Sequence, residues 1–346
     1  MSVLSGVSEF FGLDIGTTAV RLVELHNSGR SKALVKYAYV PLDSTVAQSD
    51  SKGDLQKLAL AVRDLVEQSK VTTRNVAVGL PSQRVFTTVV DIDKLSDSEI
   101  AKTIQYQADS IIPTPMDESK IDWAVLGDSP KDKSKVEVLL TSVTNDFIES
   151  RLDMLESIGL NVIAFEPDHM ALARAVIPFG TTTPQMVVDI GNKATDLVVS
   201  VGGAPHLARA IPTGSEAIIK AATQNLNIDD KQAAQFVNKF GLSKDKLEGQ
   251  IYNAIIGTID ILVTEMEKSI KFFQGRYPGV KIERIIMTGG ASALPEFPLY
   301  VANKFGLNVE IGNAWRNVSF PADRQNELLA ASNHFSVAAG LAERDE

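Results

Sequence analysis

Two aspartates carry most of the chemistry legible in this chain. Residues 13–25 read LDIGTTAVRLVEL and residues 188–200 read VDIGNKATDLVVS. The segments align without a gap, and Asp14/Asp189, Ile15/Ile190, Gly16/Gly191, Ala19/Ala194, Leu22/Leu197 and Val23/Val198 are identical. Each predicts a strand, a sharp turn after Asp-Ile-Gly, and an antiparallel return strand. Glycine beside small hydroxyl or amide residues lets backbone N–H groups converge into an anion-binding nest. A carboxylate at the strand end repels a bare phosphate. It fits one that reaches it through a hydrated Mg²⁺, so Asp14 and Asp189 are candidate magnesium residues acting through water. Either turn alone reads rather as an ordinary hairpin; two in matched register favour a polyphosphate held from both sides. A third element agrees: IIMTGGAS (285–292) is an apolar strand entering Gly289-Gly290 ahead of a helix start.

The positioning elements follow from hydrophobic period. LQKLALAVRDLVEQ predicts a helix over about 54–69 and NVAVGLP a buried strand. From Gln83, the order strand (RVFTTVVDI), helix (SDSEIAKTIQYQADSII), two strands and helix (NDFIESRLDMLESIGL) predicts a small α/β unit of about 80 residues. Ser96 and Glu99 form a capping-box pattern, and Pro113 and Pro115 halt that helix. A helical block spans about 215–275, and the chain closes on helical NELLAASNHFSVAAGLAE. Turns are expected at Gly16 and at Asn27-Ser28-Gly29.

Composition excludes several classes. The chain has 346 residues, 44% hydrophobic and 22% charged, enough for a real core. Its net charge of −9 without a basic block argues against a nucleic-acid partner. No cysteine is present, which removes disulfides, thiolate metal sites and cysteine nucleophiles. The four histidines lack metal-ligand spacing. No signal peptide or apolar run of about 18 residues is visible, so direct membrane insertion is not expected and a cytoplasmic location is.

The order D-I-G-T, E-P before a helix, D-I-G, then T-G-G resembles the actin-like ATPase superfamily. The inserted unit and the succession EIAKTIQYQADSIIP, DWAVLGD, VEVLLTSV, DMLESIGLNVIAFEP are similar to its FtsA-like branch, the PilM family of type IV pilus assembly proteins. The chain also stops after SVAAGLA without the basic amphipathic helix of FtsA.

The resemblance implies an α/β actin-like fold, two ribonuclease-H-like domains around a nucleotide cleft. Subdomain IA would comprise 1–82, 166–185 and 325–346; the inserted IC, 83–165; IIA, 186–212 and 276–324; helical IIB, 213–275. It implies ATP or ADP with Mg²⁺. The first phosphate loop would be Asp14, Gly16, Thr17 and Thr18, and the second Asp189, Gly191, Asn192 and Thr195. Gly289, Gly290, Ala291 and Ser292 would form the adenosine motif, joined by Gly214. Glu166 would orient the attacking water, with Asp189 as second catalytic acid. Gln235 and Asn238 stand where the family carries Glu and Lys toward the adenosine, which predicts weaker contact without charge assistance. The implied role is an ATP-binding adaptor, at most a slow ATPase. It would be recruited to the inner membrane by the N-terminal cytoplasmic peptide of a PilN-like protein, held between IA and IC. Pilus motor ATPases, the platform protein and self-association are further implied contacts. The alternatives are a filament-forming protein resembling FtsA or MreB and a sugar-kinase-type phosphotransferase.

Overall fold

The computed structural model describes residues 9–28 and 31–345. MSVLSGVS, Gly29, Arg30 and Glu346 lie outside the described residues, and with Gly29 so does the expected turn at 27–29. The first domain opens with β1 (Phe11–Ile15), β2 (Ala19–Ser28), β3 (Ser31–Pro41), α1 (Ser44–Gln48), α2 (Lys52–Ser69) and β4 (Asn75–Leu80). The inserted unit is β5 (Val85–Asp93), α3 (Asp97–Ile111), β6 (Ser119–Asp128), β7 (Lys135–Thr144) and α4 (Asn145–Glu156). The chain returns through β8 (Asn161–Pro167) and α5 (Asp168–Val176). The second domain holds β9 (Gln185–Ile190), β10 (Thr195–Val201), β11 (Ala204–Ile211), α6 (Ser215–Leu226), α7 (Asp230–Phe240), α8 (Gln250–Arg276), β12 (Arg284–Thr288), α9 (Phe297–Phe305) and β13 (Asn308–Ile311). The chain ends with β14 (Val318–Ser319), α10 (Gln325–Ala331) and α11 (Ser336–Ala342).

Local chemistry sets these boundaries. In α2, Leu58, Ala59, Val62, Leu65 and Val66 form one buried stripe, and the Ser51 hydroxyl accepts from the Asp54 N–H at 3.2 Å. At α3 half of the expected capping box forms: the Ser96 N–H donates to the Glu99 carboxylate at 3.0 Å, while the Ser96 hydroxyl donates to the same carboxylate at 2.6 Å and the Glu99 N–H bonds the Ser96 carbonyl.

The sequence repeat becomes a repeat of sheet topology. The first sheet runs β14-β3-β2-β1-β4-β8 and the second β11-β10-β9-β12-β13. In each, the strand bearing Asp-Ile-Gly is central, antiparallel to its hairpin partner and parallel to the strand on its other side. The third sheet, β5-β7-β6, belongs to the inserted unit and packs against α3 through Ile92, Ile100, Ile104, Val138 and Leu140.

Strand pairing corrects two expected domain boundaries. β8 joins the first sheet from Asn161, where it pairs with Asn75, so the inserted unit ends before 161 and not at 165. β14 pairs with β3 through Val318↔Lys32, so residues 318–319 extend the first domain's sheet and not IIA. The two large domains share a core. α5 and α11 lie between the sheets, burying Val23 of one against Val187, Val198 and Ile286 of the other.

Candidate functional site

Hairpin geometry brings the two Asp-Ile-Gly turns to one cleft of about 250 Å³, lined by Asp14, Gly16, Thr17, Thr18, Asp189, Gly191 and Asn192. Gly289 and Gly290 form part of the wall. Gly289 has φ 84°, and a Cβ there would lie 2.6 Å from Asp189 Oδ1 and 2.5 Å from the Ile190 carbonyl. Only glycine lets the third turn close against the second hairpin.

Three more residues complete the acid cluster and its counter-charge. Asp168 and Asp196 line the cleft beside Asp14 and Asp189, and Arg21 is the cation among them. Arg21 Nη1 donates to Asp14 Oδ2 at 3.2 Å. Both newcomers on the hairpins occupy one structural position: Arg21 stands directly across from Asp14, and Asp196 directly across from Asp189. The aligned repeat contains that signal, because an antiparallel hairpin sets a cross-strand partner at a fixed offset from the acid. Lys193, at the rim, is paired with Glu216 at 2.6 Å.

Burial of four carboxylates has an electrostatic consequence. Asp189 and Asp196 are pushed up to about 7, chiefly by burial and then by neighbouring carboxylates. Asp14 is raised by burial against the pull of Arg21, and Asp168 well above the usual range by burial and four acidic neighbours. Oδ1 of Asp168 and Oδ1 of Asp196 are buried without a hydrogen-bond partner. Arg21 alone does not balance four carboxylates, and a hydrated divalent cation fits the remaining deficit. Among the described residues no three His, Cys, Asp or Glu are grouped to hold a metal directly.

The remaining expected residues divide. Thr195 is fully buried, its hydroxyl donating to the Thr213 carbonyl at 2.7 Å, so it braces the second hairpin from beneath. Gly214 packs under the Asn192 carbonyl, and Ser215 beside it reaches the cleft. Ala291 and Ser292 are buried behind the Gly289-Gly290 turn, where the Ser292 hydroxyl donates to the Gly289 carbonyl at 2.8 Å. Gln235 and Asn238 are exposed on α7 and do not line the cleft. Glu166 requires a correction. It is 2% exposed and turned away from the cleft, accepting from Arg174 Nη1 at 3.2 Å and Arg344 Nη1 at 2.9 Å. β8 continues to Pro167, so the acid presented to the cleft is Asp168, at the first turn of α5. Ser82, Asn333 and His334 also line the cleft, and no motif flagged them.

Two further cavities flank the junction of IA and IC. One, about 440 Å³, is bounded by Ala47, Gln48, Arg84, Phe147 and Arg151; the other, about 320 Å³, by Ala124, Leu139, Thr141, Val143 and Met170. Leu80 and Phe165 line both.

A family model described as type IV pilus assembly protein PilM matches residues 12–346. The chain belongs to the PilM family. Among solved structures, it is similar to a chain of a PilM-PilN type IV pilus biogenesis complex, with 25% identity, 98% of each chain covered and a TM-score of 0.82. It also resembles the ethanolamine utilization protein EutJ from Carboxydothermus hydrogenoformans (17% identity, 96% of this chain and 88% of that one, TM-score 0.57). MreB5 of Spiroplasma citri bound to ADP is a third likeness (14% identity, 90% and 93%, TM-score 0.52). The last two carry the fold, which is actin-like, as expected from the sequence. Among the described residues no helix is long and apolar enough to cross a membrane.

Proposed function

We propose that this chain is a nucleotide-holding adaptor of type IV pilus assembly that grips the N-terminal cytoplasmic peptide of a PilN-like inner-membrane protein. The observation carrying this reading is the end-to-end likeness to a PilM chain solved with PilN. Such a tether accounts for work at a membrane by a chain whose described helices do not span one. Recruitment to the cytoplasmic face of the inner membrane, and contacts with pilus motor ATPases, the platform protein or further copies, follow from the same reading.

ATP or ADP would lie between the hairpins, with phosphates toward Gly16–Thr18 and Gly191–Asn192 and the nucleoside end toward Gly289-Gly290. Asp14, Asp168, Asp189 and Asp196 would hold Mg²⁺ through its waters, and the ion would neutralise phosphate charge. Arg21 orients Asp14 and supplies a fixed positive charge near it. Asp168 takes the water-orienting role first expected of Glu166. The adaptor reading requires bound nucleotide but no rapid turnover.

For the peptide we favour the 320 Å³ cavity. Leu80, Val143, Ile148, Phe165 and Met170 offer apolar walls, and β6 is the edge strand of the inserted sheet, with main chain free to pair an extended segment. A fluorescent peptide copying a PilN-like N-terminal tail tests this. Ala124→Arg, on the exposed side of that cavity, is expected to weaken binding at least about tenfold, or 1.4 kcal/mol. Gln48→Arg, in the other cavity, is expected to leave affinity unchanged. The opposite pattern moves the groove to the other cavity, and absence of binding by the unaltered protein refutes the adaptor reading.

A further inference from the structure

The inserted unit is held at an unexpected third point. Its two chain connections to IA are residues 81–84 and 157–160. It also reaches across to the second domain. Glu137 on β7 is 3% exposed, and its Oε1 accepts from Arg276 Nε at 2.9 Å and the Tyr277 hydroxyl at 3.0 Å. Arg276 Nη2 lies 2.8 Å from Glu137 Oε1 and 3.2 Å from Asp91 Oδ1 on β5. Arg276 is the last residue of α8, where the helix dipole favours a cation, and Tyr277 is its C-cap. His206 of β11 stacks edge-on against the Tyr277 ring, with centroids 5.5 Å apart.

Two features make this contact a joint and not a weld. Beside it, between Thr87–Val89 of β5 and His206–Arg209 of β11, lies a cavity of about 450 Å³. An interface made of one charged cluster and a short approach of β5 to β11, with a cavity beside it, has room to pivot. Removing either partner leaves the buried Glu137 carboxylate or the Arg276 guanidinium uncompensated, which is strongly destabilising. In addition, one connection to IA passes through the nucleotide cleft. Pro81, Ser82 and Gln83 line that cleft together with Asp189 and Asp196 of the second domain. The unit is thus tied to the second domain by its sheet and to the cleft by its hinge.

We propose that Glu137, Arg276 and Tyr277 form a latch through which the inserted unit follows the second domain, so that opening or closing of the cleft changes the width of the IA–IC groove. When the second domain turns relative to IA, the latch carries β5 and β7 with it, and residues 81–84 and 157–160 absorb the rotation. This coupling rests on the nucleotide reading above. By linkage it is reciprocal: a peptide seated in the groove biases the cleft as strongly as nucleotide biases the groove.

The natural absence of cysteine permits a direct test by paired spin labels. Lys133→Cys with Lys281→Cys reports the separation of the inserted unit from the second domain, and Lys133→Cys with Glu67→Cys its separation from IA; all three positions are exposed. With the latch intact, the first distance is expected to stay narrow with or without Mg-ADP, and the second to shift when Mg-ADP binds. With Glu137→Gln plus Arg276→Gln, the first distribution is expected to broaden and the nucleotide-dependent shift of the second to vanish. Tyr277→Phe, which removes only the hydroxyl, gives a partial broadening and covers the case that the double variant fails to fold. An unchanged first distribution in the latch variants overturns the proposal. So does an unmoved second distance when calorimetry shows nucleotide bound. Calorimetry without nucleotide binding faults the cleft assignment instead, and the first distribution still decides whether the latch exists.

Discussion

At the residue scale, four acids and one arginine define what the cleft can hold. Asp14→Asn with Asp189→Asn keeps shape and removes charge. The pair is expected to weaken Mg-ADP at least about tenfold in calorimetry while leaving circular dichroism unchanged. Equal affinity for the altered and unaltered proteins would detach the acids from the ligand. Glu166→Gln gives the converse test. Its carboxylate serves Arg174 and Arg344, away from the cleft. Loss of that buried charge is expected to cost about 3–5 kcal/mol of stability in denaturant titration, with nucleotide affinity intact; a selective loss of affinity would restore its expected role. These residues also mark the limit of sequence reading. The turns at Gly16, Gly191 and Gly289 were legible because backbone convergence demands particular residue types. Asp196 and Arg21 were legible only with the strand register, and Asp168 only once β8 was known to reach Pro167. Gln235 and Asn238 rest on the family resemblance alone, and a carried-over pattern does not say which groove α7 faces.

At the element scale, α5 and α11 decide how closely the two domains approach. A Cβ on Gly340 would lie 1.8 Å from the Ala171 carbonyl oxygen, far inside contact. Backbone cannot yield as a flexible side chain can. Gly340→Ala is therefore expected to cost about 3 kcal/mol, read as a lower urea midpoint at constant slope; a shift below measurement would mean that the helices slide apart freely. The end of α11 adds a titrating group. Glu343 is 7% exposed, its Oε1 has no partner, and burial pushes it up to about 8 against the pull of Arg174 and Lys32. The folded chain thus keeps a proton that the unfolded chain releases near 4.5. Folded protein binds more protons between these values, so stability is fully present below about 4.5 and is lost as pH rises toward about 8. Glu343→Gln should flatten that slope by up to about 1.4 kcal/mol per pH unit. A parallel pair of stability–pH curves would refute the assignment.

At the scale of the whole molecule, the hydrophobic clusters predict which parts come apart together. The core around α5 and α11 draws on both large sheets, so the two domains share buried surface and cannot unfold independently without exposing it. The inserted unit is built differently. Among the described residues its own core comprises Ile92, Ile100, Ile104, Ile112, Val138 and Leu140, between α3 and three strands. A small core of this kind supplies little stability alone, and the unit leans on the hinge cluster of Leu80, Val85 and Phe147 and on Glu137. Native-state hydrogen exchange should resolve this as two levels. Amides of α3, β5 and β6 are expected to exchange as one group through a low-energy opening, and those of β1, β9 and α11 only through global unfolding. Two-level behaviour suits an adaptor, because a unit with a low-energy opening of its own can admit a peptide while the core shared by the two large domains stays assembled. Exchange from α3 as slow as from α11 would show one cooperative body, and the peptide would then need an entrance that involves no movement of the inserted unit.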